Sequence, residues 1–149
     1  MTIAAAHDSE STTASRGLIV VLNRDLFFGV RIGNTLRDLG YAVAFVPTTG
    51  TFVERLRGEG PVALGIIDMS AGVEWELIRE LRAEGNETPL LAFGSHTDVD
   101  GRRAAKAAGV TRIVSNGEFH HEMVPLVRRY AAASSAPTGS DADRSGESA

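Results

Sequence analysis

Asp68 is the residue whose position in this sequence best suits chemistry. It directly follows the apolar run Val62–Ile67, and the carboxyl ends of parallel strands form the crevice in which α/β sheets bind ligands. A carboxylate at that edge could take part in group transfer or hold a cation. Asp25 and His96 could approach the same crevice, so the three form one candidate metal site, although no common spacing of paired metal ligands supports it.

The loop Gly94–Asp98 is a second candidate site. Backbone amides near the start of a helix can bind a small anion or a partner, and this loop also carries polar side chains. A turn that ends in an ordinary helix N-cap, at Thr97 or Asp98, accounts for the same residues. Both interpretations stay open on the sequence alone.

Alternating strands and helices are predicted to position these residues. Short apolar runs rich in β-branched residues predict strands at 17–22, 41–46, 62–67, 89–93 and 111–114. Apolar residues at helical spacing predict helices within 26–39, 48–57, 73–84, 97–108 and 119–130. Pro125 must lie in the first turn of the last helix or kink it, because proline lacks an amide donor.

Five βα units with nearly continuous apolar strands predict an all-parallel α/β sheet covered by helices on both faces. The loops after strands one, three, four and five should therefore carry the functional residues. At 149 residues and 43% hydrophobic, the chain fits one domain, predicted at 17–131. The polar segments 1–16 and 132–149 contain too few large apolar residues to fold and are expected to be disordered tails.

Composition also limits the class of protein. The sequence contains no cysteine, which suits a reducing compartment. It has neither a secretory signal nor a membrane-spanning apolar stretch, so a cytoplasmic protein without membrane contact is expected. The net charge of −4 gives no electrostatic reason to expect nucleic-acid binding.

Over residues 17–131 the chain resembles the receiver domains of response regulators. The resemblance depends on the order and spacing of four segments, Leu39–Tyr41, Ile66–Asp68, Pro89–Phe93 and Ala107–Val110. It implies a flavodoxin-like, doubly wound, five-stranded parallel sheet of order 2-1-3-4-5 in three α/β/α layers. It also implies a role in two-component signal transduction.

The resemblance makes Asp68 the position at which receivers accept a phosphoryl group. The two acidic residues that hold Mg²⁺ in receivers fall on Asn23 and Arg24, and Asp25 is acidic but one place late. Mg²⁺ prefers charged oxygen ligands, so a guanidinium at this position disfavours it. The resemblance therefore implies a degenerate metal site.

The other positions on which receivers depend are also changed. The Thr or Ser after strand four falls on Gly94, with Ser95 next, and the lysine after strand five falls on Asn116. The aromatic residue that reports phosphorylation falls on Ile113. A phosphoryl group on this chain would lack the family's usual stabilising and reporting groups.

These departures predict a pseudo-receiver. Phosphoryl transfer requires a metal and fixed donors that neutralise charge on the transferring oxygens. Arg24 is expected to replace them in a structural ion pair with Asp68. We therefore expect a stand-alone signalling module that is not an enzyme, uses no cofactor, has no catalytic residue, and binds another protein or a second copy of itself.

Two other functions stay open. One is a working response regulator phosphorylated on Asp68 in a phosphorelay, with Mg²⁺ and with Asp25, Ser95 and Asn116 as shifted helpers. The other is a small flavodoxin-like protein that binds an anion or another ligand over strands one, three and four. An open pocket beside Gly94–His96 would favour the second.

In receivers the fourth helix, fifth strand and fifth helix contact partners. Here that region is basic, and the resemblance makes it a candidate docking face for an acidic partner. Its residues are Arg102, Arg103, Lys106 and Arg112. A solvated helix face accounts for the same charges equally well.

Several remaining side chains can also be assigned. Phe119, Met123, Leu126 and Tyr130 form one helical stripe that is predicted to be core. Trp75 is predicted to be partly exposed near Asp68. His120 and His121 are adjacent, so their side chains diverge on a helix, and both are predicted to be solvated.

Overall fold

The computed structural model describes residues 16–58 and 60–132. The predicted tails, 1–16 and 132–149, lie outside the described residues except for Arg16 and Ala132. The described part of the chain contains no helix long and apolar enough to cross a membrane.

The described strands form one parallel sheet of order β2-β1-β3-β4-β5. They are β1 (Leu18–Leu22), β2 (Ala42–Val46), β3 (Val62–Asp68), β4 (Leu90–Gly94) and β5 (Arg112–Ser115). Both the predicted α/β class and the strand order 2-1-3-4-5 are confirmed. Parallel pairing without antiparallel edges follows from the helical crossovers, which return each strand to the same end of the sheet.

Helices alternate with the strands as the sequence predicts. They are α1 (Leu26–Asp38), α2 (Thr49–Arg57), α3 (Trp75–Ala83), α4 (Val99–Ala108), α5 (Asn116–His121) and α6 (Met123–Tyr130). Side-chain oxygens of Asp25, Thr48, Asp98 and Ser115 cap the helices that follow them, because the first backbone amides of a helix lack partners. A 3-10 turn, Met69–Ala71, follows β3.

The predicted last helix is two helices in the structure. α5 ends at His121, Glu122 leaves helical geometry, and α6 begins at Met123. Pro125 lies in the first turn of α6, where its missing amide loses no hydrogen bond. The predicted core stripe is confirmed, since Phe119, Met123 and Leu126 are buried and Tyr130 packs against them.

Each strand supplies side chains to two apolar layers, because alternate residues face opposite sides of the sheet. Ile19 and Ile66 face α1, α5 and α6, whereas Val20 and Ile67 face α2, α3 and α4. Asp68 has the parity of Ile66 and ends β3 on the α1 side. The fold thus holds the candidate carboxylate at the carboxyl edge of the central strands.

Candidate functional site

Asp68 is a buried carboxylate with a local partner. It ends β3 with only 4% of its surface exposed. Its Oδ1 accepts hydrogen bonds from the backbone amide of Ser70 at 2.9 Å and from the Ser70 hydroxyl at 2.7 Å. In the sheet register, Asp68 lies opposite Phe93 of β4. Sequence reasoning missed Ser70, although a Ser two residues after an Asp is a signal for this kind of turn.

The β1–α1 connection is closed by its own side chains. The Asn23 amide donates to the carbonyl of Asp25 at 2.8 Å and accepts from the Asp25 amide at 3.1 Å. The Asp25 carboxylate accepts from the amides of Phe27 and Phe28 and so caps α1. Both polar residues are therefore engaged in shaping the loop.

The predicted ion pair between Arg24 and Asp68 is wrong. Among the described residues, no ion pair joins the two, and Arg24 is exposed. Its guanidinium extends over the β3–α3 loop, where a Cβ built on Gly72 would lie 4.0 Å from Nη1. The backbone amide and the hydroxyl of Ser70 provide hydrogen bonds to the Asp68 carboxylate. A contact with Arg24 would instead require ordering of a long side chain, which costs rotamer entropy.

The end of β4 lacks the hydroxyl that a receiver presents there. A Cβ on Gly94 would lie 3.0 Å from Cβ and 3.1 Å from Sδ of Met69, so the methionine covers this position. The Ser95 hydroxyl makes a 2.8 Å hydrogen bond with Thr97 Oγ1 and accepts from the Thr97 amide. Ser95 is therefore used within its own turn.

The end of β5 presents Asn116 as the first residue of α5. Its side chain is exposed and has no hydrogen-bond partner in the described part of the chain. The adjacent Ser115 caps the helix by accepting from the Glu118 amide. Ile113, at the position of the switch aromatic, is only partly buried. It packs on the face of the sheet covered by α2, α3 and α4, opposite to the face on which Asp68 lies.

An open cleft of about 610 Å³ borders Asp68. It is lined by Arg24, Asp25, Leu26, Phe27, Asp68, Ser70 and Ala71. The residues Gly94–His96 do not line it, so this cleft, which lies toward α1, is not the open pocket beside them that would favour a small-ligand protein. One cation and two carboxylates give the cleft mixed charge.

This donor set does not suit Mg²⁺. The ion requires several free oxygen ligands in octahedral geometry, whereas one oxygen each of Asp25 and Asp68 already accepts protein hydrogen bonds. Arg24 adds positive charge to the same cleft. The alternative metal site of Asp25, Asp68 and His96 is wrong, because the described residues contain no cluster of three possible ligands.

The predicted basic face is less uniform than its sequence suggests. Arg103 approaches Asp100 at 3.8 Å, and Arg112 pairs with Glu118 at 3.2 Å. Arg102 is partly buried, with Nη1 enclosed and without a hydrogen-bond partner in the described structure. Lys106 is exposed. Acidic neighbours therefore offset part of the positive charge.

Sequence reasoning missed an apolar surface on α1. Leu26 and Phe27 are 84% and 89% exposed, and Val30 and Phe45 are also exposed; we name these four residues the α1 apolar surface. A groove of about 280 Å³ runs beside it between α1 and β2. The run Leu26–Phe28 was a signal, because three consecutive apolar residues cannot all face the core from one helix.

The prediction that His120 is solvated is wrong, whereas His121 is exposed. Both ring nitrogens of His120 are buried and lack hydrogen-bond partners in the described structure. Burial lowers the pKa of the imidazole, Arg31 lowers it further, and Asp68 acts in the opposite direction. Sequence spacing could not identify this, because the contacts come from residues distant in the chain.

Solved structures of receiver domains are similar to this fold. Chemotaxis response regulator CheY4 of Vibrio cholerae matches with a TM-score of 0.67 and 16% identity, over 78% of this chain and 99% of that chain. The receiver domain of the TMAO respiratory response regulator TorR matches at 0.66 and 20% identity, over 76% and 94%. A sensor histidine kinase receiver domain from Pseudomonas aeruginosa, with magnesium in its active-site cleft, matches at 0.67 and 20%, over 78% and 98%.

No family model and no curated protein matches the sequence. The similarity to solved structures therefore concerns the backbone architecture and the strand order, both of which agree over more than three quarters of the chain. The described domain has the fold of the response-regulator receiver domains.

Proposed function

We propose that this domain acts in signal transduction as an atypical receiver, which binds another protein independently of phosphorylation on Asp68. The observation that carries the proposal is the environment of Asp68. Its carboxylate is held by Ser70, and a cation, Arg24, occupies one wall of the adjacent cleft.

Energetics support this proposal over a phosphorelay. A transferred phosphoryl group carries charge that a metal and fixed donors must neutralise. Absence of both contributions removes on the order of several kcal/mol of transition-state stabilisation, which corresponds to many factors of ten in rate. The shifted helpers Asp25 and Ser95 accept hydrogen bonds within their own turns, so they give the phosphorelay alternative little support.

The α1 apolar surface supports protein contact as the mode of action. Exposed apolar residues that form one patch commonly mark protein interaction sites. Arg24, Arg31 and Arg37 lie on or next to α1 and form no ion pair with another described residue. A protein that presents apolar side chains flanked by carboxylates would complement this surface.

The basic residues of α4 and β5 are the other candidate docking face. Substitutions on each face show which of the two surfaces, the α1 apolar surface or the basic face, binds the partner. Phe27→Ser on α1 and Arg103→Glu/Lys106→Glu on α4 alter exposed side chains, so neither variant should unfold the domain. We expect Phe27→Ser to weaken binding of a partner isolated with the wild-type protein by about tenfold or more, and the α4 variant to bind normally.

A beryllofluoride titration with Mg²⁺ tests independence from phosphorylation. Amide NMR resonances around Asp68 should remain unchanged, because the cleft lacks the ligands that would hold the metal and the anion. Asp68→Asn should bind the partner as the wild type does. A saturable, Mg²⁺-dependent response that disappears in Asp68→Asn contradicts the proposal.

The open cleft supports one alternative function, binding of a small anion or ligand by Arg24 and its neighbours. Inorganic phosphate is a suitable probe because a guanidinium recognises it readily. Saturable shifts of the amide NMR resonances of Arg24, Leu26 and Ser70 on addition of phosphate would favour this alternative if they vanish in Arg24→Gln. Shifts that are linear in phosphate concentration and unchanged in Arg24→Gln would exclude phosphate as the ligand.

A further inference from the structure

His120 lies among aromatic rings that belong to three separate parts of the chain. Its ring centroid is 4.6 Å from that of Phe28 in the first turn of α1 and 5.8 Å from that of Phe93 at the end of β4. Phe119, which precedes it on α5, lies 5.3 Å away and stacks on Phe93 at 4.1 Å. The imidazole therefore joins α1 to the strand next to Asp68.

The surroundings of this ring favour its neutral form. An imidazolium has two N–H donors and needs an acceptor for each, but neither nitrogen of His120 has a partner in the described structure and both are buried. Burial of an unpaired charge is far less favourable than burial of an unpaired polar group. Protonation is therefore incompatible with the present position of the ring.

Charged groups around the ring act on its protonation in both directions. From α1, Arg31 repels an imidazolium, and from β3, Asp68 attracts it. β4 contributes the uncharged Phe93 ring, while Glu118, His121 and Glu122 lie on or just after the same helix. A protonated ring is thus driven away from α1 and toward water or the carboxyl edge of the sheet.

We propose that His120 is a proton-operated latch on α1: the neutral ring holds Phe28 and the first turn of α1 in place, and protonation expels the ring and releases them. Phe28 directly follows Leu26 and Phe27 of the α1 apolar surface in that turn. Release of Phe28 alters the shape of this surface. The effect on partner binding rests on the proposed function, whereas the latch itself does not.

An NMR titration from about pH 8 to about pH 5, the range in which histidines change charge, tests the latch without a partner. The His120 imidazole should titrate below the ordinary histidine pKa of about 6.5. The Phe28 ring and the backbone amides of residues 26–29 should shift with the His120 midpoint. Shifts in α1 that follow any other midpoint, or no shifts in α1 at all, overturn the proposal.

Matched variants test whether His120 is the group whose protonation causes the NMR shifts of α1. In His120→Phe the pH-dependent shifts of α1 should disappear, whereas in His121→Phe they should remain. Arg31→Gln should move the His120 midpoint to higher pH, and Asp68→Asn should move it to lower pH. If α1 still responds to pH in His120→Phe, or if neither charge substitution moves the midpoint, the latch is contradicted; the wild-type titration decides the matter even if a variant fails to fold.

Partner binding at different pH values then separates the latch from the proposed function. If α1 responds to the His120 proton and a partner binds equally well on both sides of the midpoint, the latch stands and its link to the α1 apolar surface fails. If α1 does not respond, the latch fails whatever the partner does.

Discussion

Asp68 must be stabilised by its immediate surroundings, because a buried carboxylate is unfavourable without hydrogen bonds. Ser70 supplies a backbone and a hydroxyl donor to the same oxygen. Both bonds are charge-assisted and close a turn of only two residues. The turn requires little chain entropy, which explains why it forms in preference to a contact with the long side chain of Arg24.

Ser70→Ala removes one of these two donors and should lower the free energy of unfolding by about 1.5–3 kcal/mol, the usual contribution of a hydrogen bond to a charged group. Urea denaturation measures the change. Ser95→Ala is the control, since its exposed hydroxyl bonds only within the loop, and it should change stability by less than about 0.5 kcal/mol. Equal losses in the two variants would show that the Ser70 hydroxyl has no special role.

The metal preference of the cleft can be changed at Arg24. Arg24→Asp removes the cation and adds a third carboxylate to the cleft that borders Asp68, which brings it closer to the oxygen-rich site that Mg²⁺ requires. The variant should show saturable Mg²⁺-dependent NMR shifts near Asp68, and the wild type should not. Wild-type protein that binds Mg²⁺ as tightly as the variant would refute this account of Arg24.

The position of Asp68 could be predicted from sequence, because an apolar run before a carboxylate fixes a strand end. The hydrogen-bond contacts of Asp68 could not be predicted from sequence. Whether Arg24 or Ser70 reaches the carboxylate depends on the path of the 3-10 turn Met69–Ala71, which periodicity does not encode. The same holds for Met69 over Gly94, a contact between adjacent strand ends.

At the scale of elements, β3 packs closely against its neighbours because it contains a glycine at its centre. A Cβ built on Gly65 would lie 2.7 Å from Leu90 Cδ2 and 2.8 Å from Phe52 Cζ. Both of those side chains are completely buried, so they have little room to move. The glycine allows α2 and β4 to approach the central strand.

Gly65→Ala should therefore lower the free energy of unfolding by about 1–3 kcal/mol through overpacking. Gly50→Ala provides a matched control in α2, because the nearest atom to its new Cβ would be 3.9 Å away. That variant should be as stable as the wild type or slightly more so, since alanine favours helices. Thermal unfolding of the two variants compares them directly, and a neutral Gly65→Ala would contradict the packing argument.

The order and type of the elements were accessible from sequence for a physical reason. Buried parallel strands need continuous apolar runs, and helices between them need one apolar face. The break between α5 and α6 was harder to predict, because Phe119, Met123 and Leu126 keep helical spacing across Glu122. A stripe of core residues continues even though the helix does not.

At the scale of the whole molecule, apolar exposure is concentrated on one side. Among the described residues, five of the six exposed large apolar side chains lie on α1 or on β2 next to it: Leu26, Phe27, Phe28, Val30 and Phe45. The sixth, Val99, begins α4. The sequence could predict α1 as a helix, and the run Leu26–Phe28 signals that part of its first turn is exposed. Which of these side chains face outward could not be predicted, since that depends on how the helix packs.

The protonation of His120 should also affect the stability of the whole domain. Burial lowers the pKa of this group in the folded state, so the unfolded chain binds its proton first as the pH falls. Stability due to this group is therefore complete above the ordinary pKa of about 6.5 and decreases below it, by at most about 1.4 kcal/mol per pH unit for one proton. His120→Phe should lose less stability than the wild type between about pH 7 and about pH 5.

Urea unfolding monitored by the fluorescence of the single tryptophan, Trp75, measures this difference. Carboxylates titrate in both proteins, so their contribution cancels when the two pH profiles are subtracted. His121→Phe is the matched control, because it substitutes the neighbouring exposed ring and leaves the contribution of His120 in place. Parallel profiles for His120→Phe and the wild type would mean that the cluster of Phe28, Phe93 and Phe119 tolerates an imidazolium, and that the buried nitrogens of His120 reach water in solution.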